Sequence, residues 1–195
     1  YASSACEMVA EVLQYIGDDG IKIKPAEADA MYAGIVIDTN NFMNQAGVRT
    51  FEAAAFLRRN GADVVRVRKL FRDRLEDYRA RAEAIQKAEI YHGAFAISVC
   101  PSEGLESPTV VGAQAANELL DIVGIKASFI LTQMGDTIYF SARSIDEINV
   151  QIIMERLGGG GHRTIAGAQL KGVTIDEARE KLKDLITDMM EKGEI

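Results

Sequence analysis

Cysteine is scarce: Cys6 and Cys100 are the only two, far apart and outside any Cys-x-x-Cys pair, which excludes a zinc ribbon and a disulfide scaffold. Two buried thiols in a reducing cytoplasm is the simplest reading of them. Long apolar runs are also missing, none approaching the roughly 20 residues that a membrane-spanning helix needs. The N-terminus lacks the charged start, apolar stretch and cleavage site of a secretory signal, so the chain reads as soluble and cytoplasmic. Positive charge is in deficit, with 22 Lys and Arg against 29 Asp and Glu and a formal net charge of -7. That balance disfavours a protein that wraps duplex nucleic acid, because such binding draws on phosphate neutralisation and counterion release. A nucleotide ligand would therefore be small or short. Repeats and low-complexity tracts are absent as well.

With 48% hydrophobic side chains over 195 residues, the chain can bury a substantial core, as one large domain or two small ones. Ser3 or Ser4 caps a helix on which Met8, Val9, Val12, Leu13 and Ile16 recur at helical spacing, and Gly17, Asp18, Asp19 and Gly20 end it. Pro25 opens a second helix, and the apolar run 33–37 reads as a buried parallel strand ending at Asp38. Thr50 then caps a helix over 51–59, and residues 63–87 form two charged helices, the second a linker between domains. Beyond it come strand 94–99, helix 114–123, and strands 127–132 and 137–142 joined by a Gly135-Asp136 turn. Ser144-Ile145-Asp146-Glu147 is a capping box for a helix to Leu157, a short strand covers 166–170, and Thr174-Ile175-Asp176-Glu177 opens the last helix.

Four places could carry chemistry. Asp38 stands where a strand is expected to end, and ligands of open α/β sheets bind beyond the carboxyl ends of strands; an aspartate capping the next turn has the same sequence signature. The run Gly158-Gly159-Gly160-Gly161-His162-Arg163 is the most unusual local feature. Such glycines let a backbone approach a ligand and turn its amides toward an anion, with His162 and Arg163 adding donors. No Lys-Ser or Lys-Thr follows them and neither Gly-x-Gly-x-x-Gly register is completed, so a P-loop is excluded; a flexible helix terminator is the plainer alternative. Arg143 is placed to clamp a phosphate at the same sheet edge, or to pair with Asp146 or Glu147. Arg49 carries the same ambiguity.

Ser3-Ser4-Ala5-Cys6-Glu7-Met8-Val9, Asp38-Thr39-Asn40-Asn41-Phe42, Gly47-Val48-Arg49-Thr50-Phe51-Glu52-Ala53-Ala54 and the glycine-histidine run together resemble the DHH phosphoesterases followed by DHH-associated domain 1. The strings around Arg49 and over 149–170 resemble more narrowly the membrane-tethered GdpP-type cyclic-di-AMP phosphodiesterases. The resemblance implies an α/β chain: the C-terminal part of a parallel-sheet DHH domain (1–72), a helical linker (73–90) and a nucleotide-binding DHH-associated domain with a mixed sheet (91–195). It makes Asp38 a ligand of a manganese pair, and makes Gly158, Gly159, Gly160, Gly161, His162 and Arg143 contacts to the nucleotide, with Ser4, Asn40, Arg49 and Asn149 as further candidates. The implied reaction is metal-dependent hydrolysis of cyclic-di-AMP to linear pApA, two metals activating a water for attack on phosphorus. A nuclease of very short RNA and a non-catalytic nucleotide-binding module are the alternatives, and a homodimer is left open. The family's His-x-Asp-x-Asp and Asp-His-His motifs do not occur here. A single aspartate cannot hold two hard cations, so the chain is expected to be a C-terminal fragment, inactive alone, of a protein anchored in the cell membrane by an N-terminal segment.

Overall fold

The computed structural model describes residues 2–16, 22–43, 45–145 and 147–195; the expected helix stop at 17–20 lies outside them. The chain divides into two compact units, Tyr1–Arg72 and Asp73–Ile195. Among the described residues the first unit is helical throughout: α1 (Ala5–Ile16), α2 (Pro25–Asp38), α3 (Val48–Arg59) and α4 (Val64–Leu70). Its core gathers Ala10, Ala28, Ile35, Ala53, Leu57 and Ala62.

The strand expected over 33–37 is instead the end of α2. Ile35 is fully buried while Ile37 is 63% exposed, which a strand buried on both faces would not give. A short apolar run has no period of its own to separate strand from helix. Here a helix nucleated at Pro25 propagates through Ala28, Ala30 and Ala33, where each added residue gains a hydrogen bond without a new nucleation cost. A Cβ at Gly34 would lie 2.4 Å from the Cys6 sulfur, so α1 and α2 cross closely and leave that thiol only partly buried. Met8, Val9, Val12 and Ile16 of α1 are exposed, and its inward residues are Glu7 and Ala10. Thr50 lies inside α3, not at its cap, and its Oγ1 accepts the Gly47 N–H at 3.1 Å. Asp63 caps α4 by accepting from the Val65 and Arg66 amides, and Arg66 Nε donates to Asp29 Oδ2 at 2.6 Å, tying α4 to α2.

The second unit is built on a mixed sheet in the order β1-β2-β3-β4-β6-β5, with β1 (Glu89–Tyr91), β2 (Phe95–Cys100), β3 (Ala127–Met134), β4 (Thr137–Ser144), β5 (Gly160–Gly161) and β6 (Ile165–Lys171). Among the described residues only the β2–β3 pair is parallel. On one face α7 (Val150–Arg156) and α8 (Ile175–Glu191) enclose Phe129, Leu131, Ile138, Phe140, Ile153 and Leu182. On the other, α5 (Leu75–Gln86) and α6 (Pro108–Leu119) close over Ala96, Ile130, Ala115 and Leu119. The helix expected as a linker, α5, is thus a layer of this unit: Ala80, Arg81 and Ala84 face inward, whereas Leu75 and Tyr78 are exposed. Helix α6 begins at Pro108, earlier than the apolar pattern suggested, because proline fits a first helical turn.

The capping box proposed at Ser144 does not form. Ser144 ends β4, and Asn149 caps α7 through its Oδ1, which accepts the Gln151 N–H at 3.1 Å. Asp146 lies outside the described residues. The box at Thr174 does form, Thr174 Oγ1 accepting from the Glu177 amide at 3.2 Å and the Thr174 amide donating to Glu177 Oε2 at 2.7 Å.

Candidate functional site

The glycine run is a junction between α7 and the β5–β6 hairpin. Gly158 takes the left-handed conformation at φ +80 that stops the helix, and the Gly159 amide donates back to the Met154 carbonyl at 2.8 Å. A Cβ at Gly159 would meet the Gly167 oxygen at 2.0 Å, and one at Gly161, whose φ is +146, would meet Ala166 Cα at 2.5 Å. Those two positions let the chain lie against β6 backbone to backbone. Gly160 is different: nothing lies within 4 Å of its Cβ position and its φ is not positive. The fold does not require glycine there. In the hairpin turn the His162 amide donates to the Ile165 carbonyl at 2.7 Å, and its exposed imidazole makes no hydrogen bond among the described residues.

Arg143 sits within β4, opposite Ser128 on β3 and Ile165 on β6. Its Nε donates to Asn117 Oδ1 at 3.0 Å and its Nη1 to the Ala142 carbonyl at 2.9 Å. Glu147, one expected partner, pairs with Lys126 at 2.5 Å. Burial draws the Arg143 pKa down, as expected for a cation held by neutral acceptors. The Ser144 amide donates to the Thr164 carbonyl at 3.0 Å and the Val150 amide to the Arg163 carbonyl at 3.0 Å. These bonds bring the hairpin turn, Arg143 and Asn149 to one end of the sheet. Asn149 spends its side-chain carbonyl oxygen on the α7 cap.

A groove of about 510 Å³ opens beside the glycine run, lined by Thr109, Tyr139, Ser141, Gly159, Gln169 and Lys171 among others. The β4–β6 register sets Tyr139 opposite Gln169 and Ser141 opposite Gly167, on the same sheet face as Arg143. Apart from Gly158 and Gly159, none of these lining residues was singled out from the sequence. Period-two alternation along each strand could have flagged them, but the register that joins the two strands is not written in either.

In the first unit Asp38 is the exposed last residue of α2, without hydrogen bond or ion pair among the described residues. It does not cap the following turn. Thr39 does, its Oγ1 donating to the Ile35 carbonyl at 2.6 Å and accepting the Phe42 N–H at 3.0 Å. A carboxylate at a helix C-terminus is disfavoured by the dipole, and the residues after it, Asn40, Asn41 and Phe42, are all left-handed at φ 45, 58 and 64. Strain of that kind concentrates at functional sites. Ser4 is buried, its Oγ accepting the Glu7 N–H at 3.0 Å. Arg49 donates from Nε to Glu11 Oε1 at 2.7 Å and from Nη2 to Oε2, so its planar fork is already occupied.

Sequence reasoning also passed over Glu7, which is 1% exposed and accepts from the Ser3 amide at 3.0 Å, the Ser3 hydroxyl and Thr50 Oγ1 at 2.8 Å. Burial pushes its pKa up, but those hydrogen bonds and Arg49 outweigh it and hold the carboxyl below its ordinary range. Among the described residues no group of three or more His, Cys, Asp or Glu is placed to hold a metal ion. Asp38 therefore does not fit a metal pair by itself, and no hydrolytic step is assigned to a metal here.

Residues 94–192 match the DHHA1 domain. The chain is 45% identical over 194 residues to the cyclic-di-AMP phosphodiesterase GdpP of Geobacillus thermodenitrificans (strain NG80-2), covering 99% of this chain and 29% of that protein. It is 43% identical over 195 residues to the cyclic-di-AMP phosphodiesterase PdeA of Listeria monocytogenes serotype 1/2a (strain 10403S), covering 100% of this chain and 29% of that one. The crystal structure of an exopolyphosphatase-related protein from Bacteroides fragilis has the same fold, with a TM-score of 0.82 at 20% identity over 96% of this chain and 57% of that chain. The chain thus spans 29% of the length of these curated relatives.

Proposed function

The chain belongs to the DHHA1 domain family, and from that membership we propose that it is part of a metal-dependent phosphodiesterase that hydrolyses cyclic-di-AMP to linear pApA. The observation that carries the proposal is the junction at the end of α7, where Gly160, His162 and Arg143 share one end of a sheet with open backbone, a free imidazole and a guanidinium held only by neutral acceptors. Identity of 45% to a protein named for that activity supports the substrate class. In this reading Arg143 neutralises a phosphate, the backbone around Gly160 approaches the ligand, and His162 donates to phosphate or base. Asp38 contributes one ligand to the manganese pair and the others come from parts of the longer protein. The 195-residue chain accordingly binds nucleotide without hydrolysing it.

The test compares turnover of cyclic-di-AMP and of pApA by the full-length protein with added manganese. Faster turnover of cyclic-di-AMP supports the reading. Much faster cleavage of pApA would replace it with a nuclease of very short RNA, and no metal-dependent hydrolysis at all would replace it with a nucleotide-binding module.

A further inference from the structure

The α6 face of the sheet in the second unit is only partly covered. Helix α6 packs over β2, β3 and part of β4, and what remains is the groove floored by alternate residues of β4 and β6. Lys171 and Gln169 are successive same-face residues of β6, ~7 Å apart along the strand. Tyr139 lies directly opposite Gln169, ~5 Å away between Cα atoms. Gly167 supplies no side chain to fill the floor, and Gly159 lies at its rim.

The chemistry of these side chains is unspent. Tyr139, Gln169 and Lys171 make no hydrogen bond or ion pair among the described residues. Arg81, Lys126, Arg156 and Lys183 are each paired with a carboxylate, whereas Lys171, like Arg79, Arg143 and Lys181, has no carboxylate partner among the described residues. Asp136, in the turn beside Lys171, accepts from Thr137 Oγ1 at 2.9 Å instead. An unpaired ammonium in a chain of net charge -7, with a primary amide and an aromatic ring beside it, has the makings of an anion-plus-base receptor. The groove volume of about 510 Å³ falls within the ~300–1,000 Å³ usual for small-ligand sites.

We propose that Lys171, Gln169 and Tyr139 bind one nucleotide of the substrate, a purine nucleoside monophosphate half, in the groove beside the glycine run. Lys171 meets its phosphate, the Tyr139 ring stacks on its base, and the Gln169 amide, both donor and acceptor, reads the base edge. Arg143 and Lys171 stand at opposite ends of the same β4–β6 face, so Lys171 serves the groove and Arg143 the end beside the hairpin turn. This assignment rests on the nucleotide-binding reading above and adds to it the residues that discriminate the base.

Calorimetric titration of pApA into the 195-residue chain tests it, with Lys171→Gln and Gln169→Ala compared with His162→Ala. Lys171→Gln is expected to weaken pApA about tenfold, the scale of one charge-assisted hydrogen bond, with the melting temperature unchanged because Lys171 is exposed. Gln169→Ala is expected to reduce the preference for pApA over pGpG. If both groove variants bind as the wild type does while His162→Ala weakens binding, the groove assignment is overturned and the reading beneath it stands. If the wild-type chain shows no saturable binding of pApA, both fall.

Discussion

A Cβ on any residue replacing Gly159 would fall 2.0 Å from the carbonyl oxygen of Gly167. The segment leaving α7 and strand β6 therefore touch through their backbones, and Gly167 in turn faces the Phe140 oxygen, which a Cβ there would approach to 2.8 Å. Three strands' worth of main chain are stacked with no room for a methyl group. Gly159→Ala is expected to cost about 1–3 kcal/mol or more, the range for overpacking a close contact, read as a lower urea midpoint. Gly160→Ala, with open space around its Cβ, should keep the wild-type midpoint and weaken nucleotide binding alone. Equal destabilisation by both would mean that the run is only a structural junction.

The Glu7–Thr50 hydrogen bond sets an acid limit on the first unit. Glu7 is held below its ordinary pKa, so its contribution is present in full above the unfolded value of ~4.3 and is lost as pH falls through the lower, folded value. Urea midpoints measured from pH 7 to pH 3 should fall at the acid end. Glu7→Gln should be less stable at pH 7, by about 1–2 kcal/mol, and should flatten that acid limb. An unchanged acid limb in Glu7→Gln would assign it to other carboxylates.

Asp38 and Cys6 are coupled. Burial pushes the Cys6 thiol up, and the charge of Asp38 pushes it further. Asp38→Asn should therefore lower the Cys6 pKa and speed its alkylation at pH 8, with little change in melting temperature because Asp38 is exposed. Cys100, pushed up to about 11 by burial and Glu83, should stay unmodified in the same reaction. In the full-length protein Asp38→Asn should abolish hydrolysis. Intact hydrolysis would remove Asp38 from the metal site.

Much of this was legible in the sequence because it is written locally. The Thr174 box, the strands β3 and β4 with the Gly135-Asp136 turn between them, and the glycine run all announce themselves within a few residues. The failures share a cause, which is information held in the partner and not in the segment. Residues 33–37 are equally apolar as strand or helix, and only the absence of a strand beside them among the described residues of the first unit decides. Glu7 is marked as buried only by Ser3 and Thr50, which close over it in the fold. Tyr139, Gln169 and Lys171 became one surface only through the β4–β6 register. The glycines were visible, but which of them the fold needs depends on the distance to β6.

The most direct test of nucleotide binding at the α7–β5 junction is calorimetric titration of pApA into the 195-residue chain, wild type against Arg143→Lys and His162→Ala. Saturable binding by the wild type, weakened about tenfold in each variant at unchanged melting temperature, is the expected result. Wild-type affinity in both variants would contradict it.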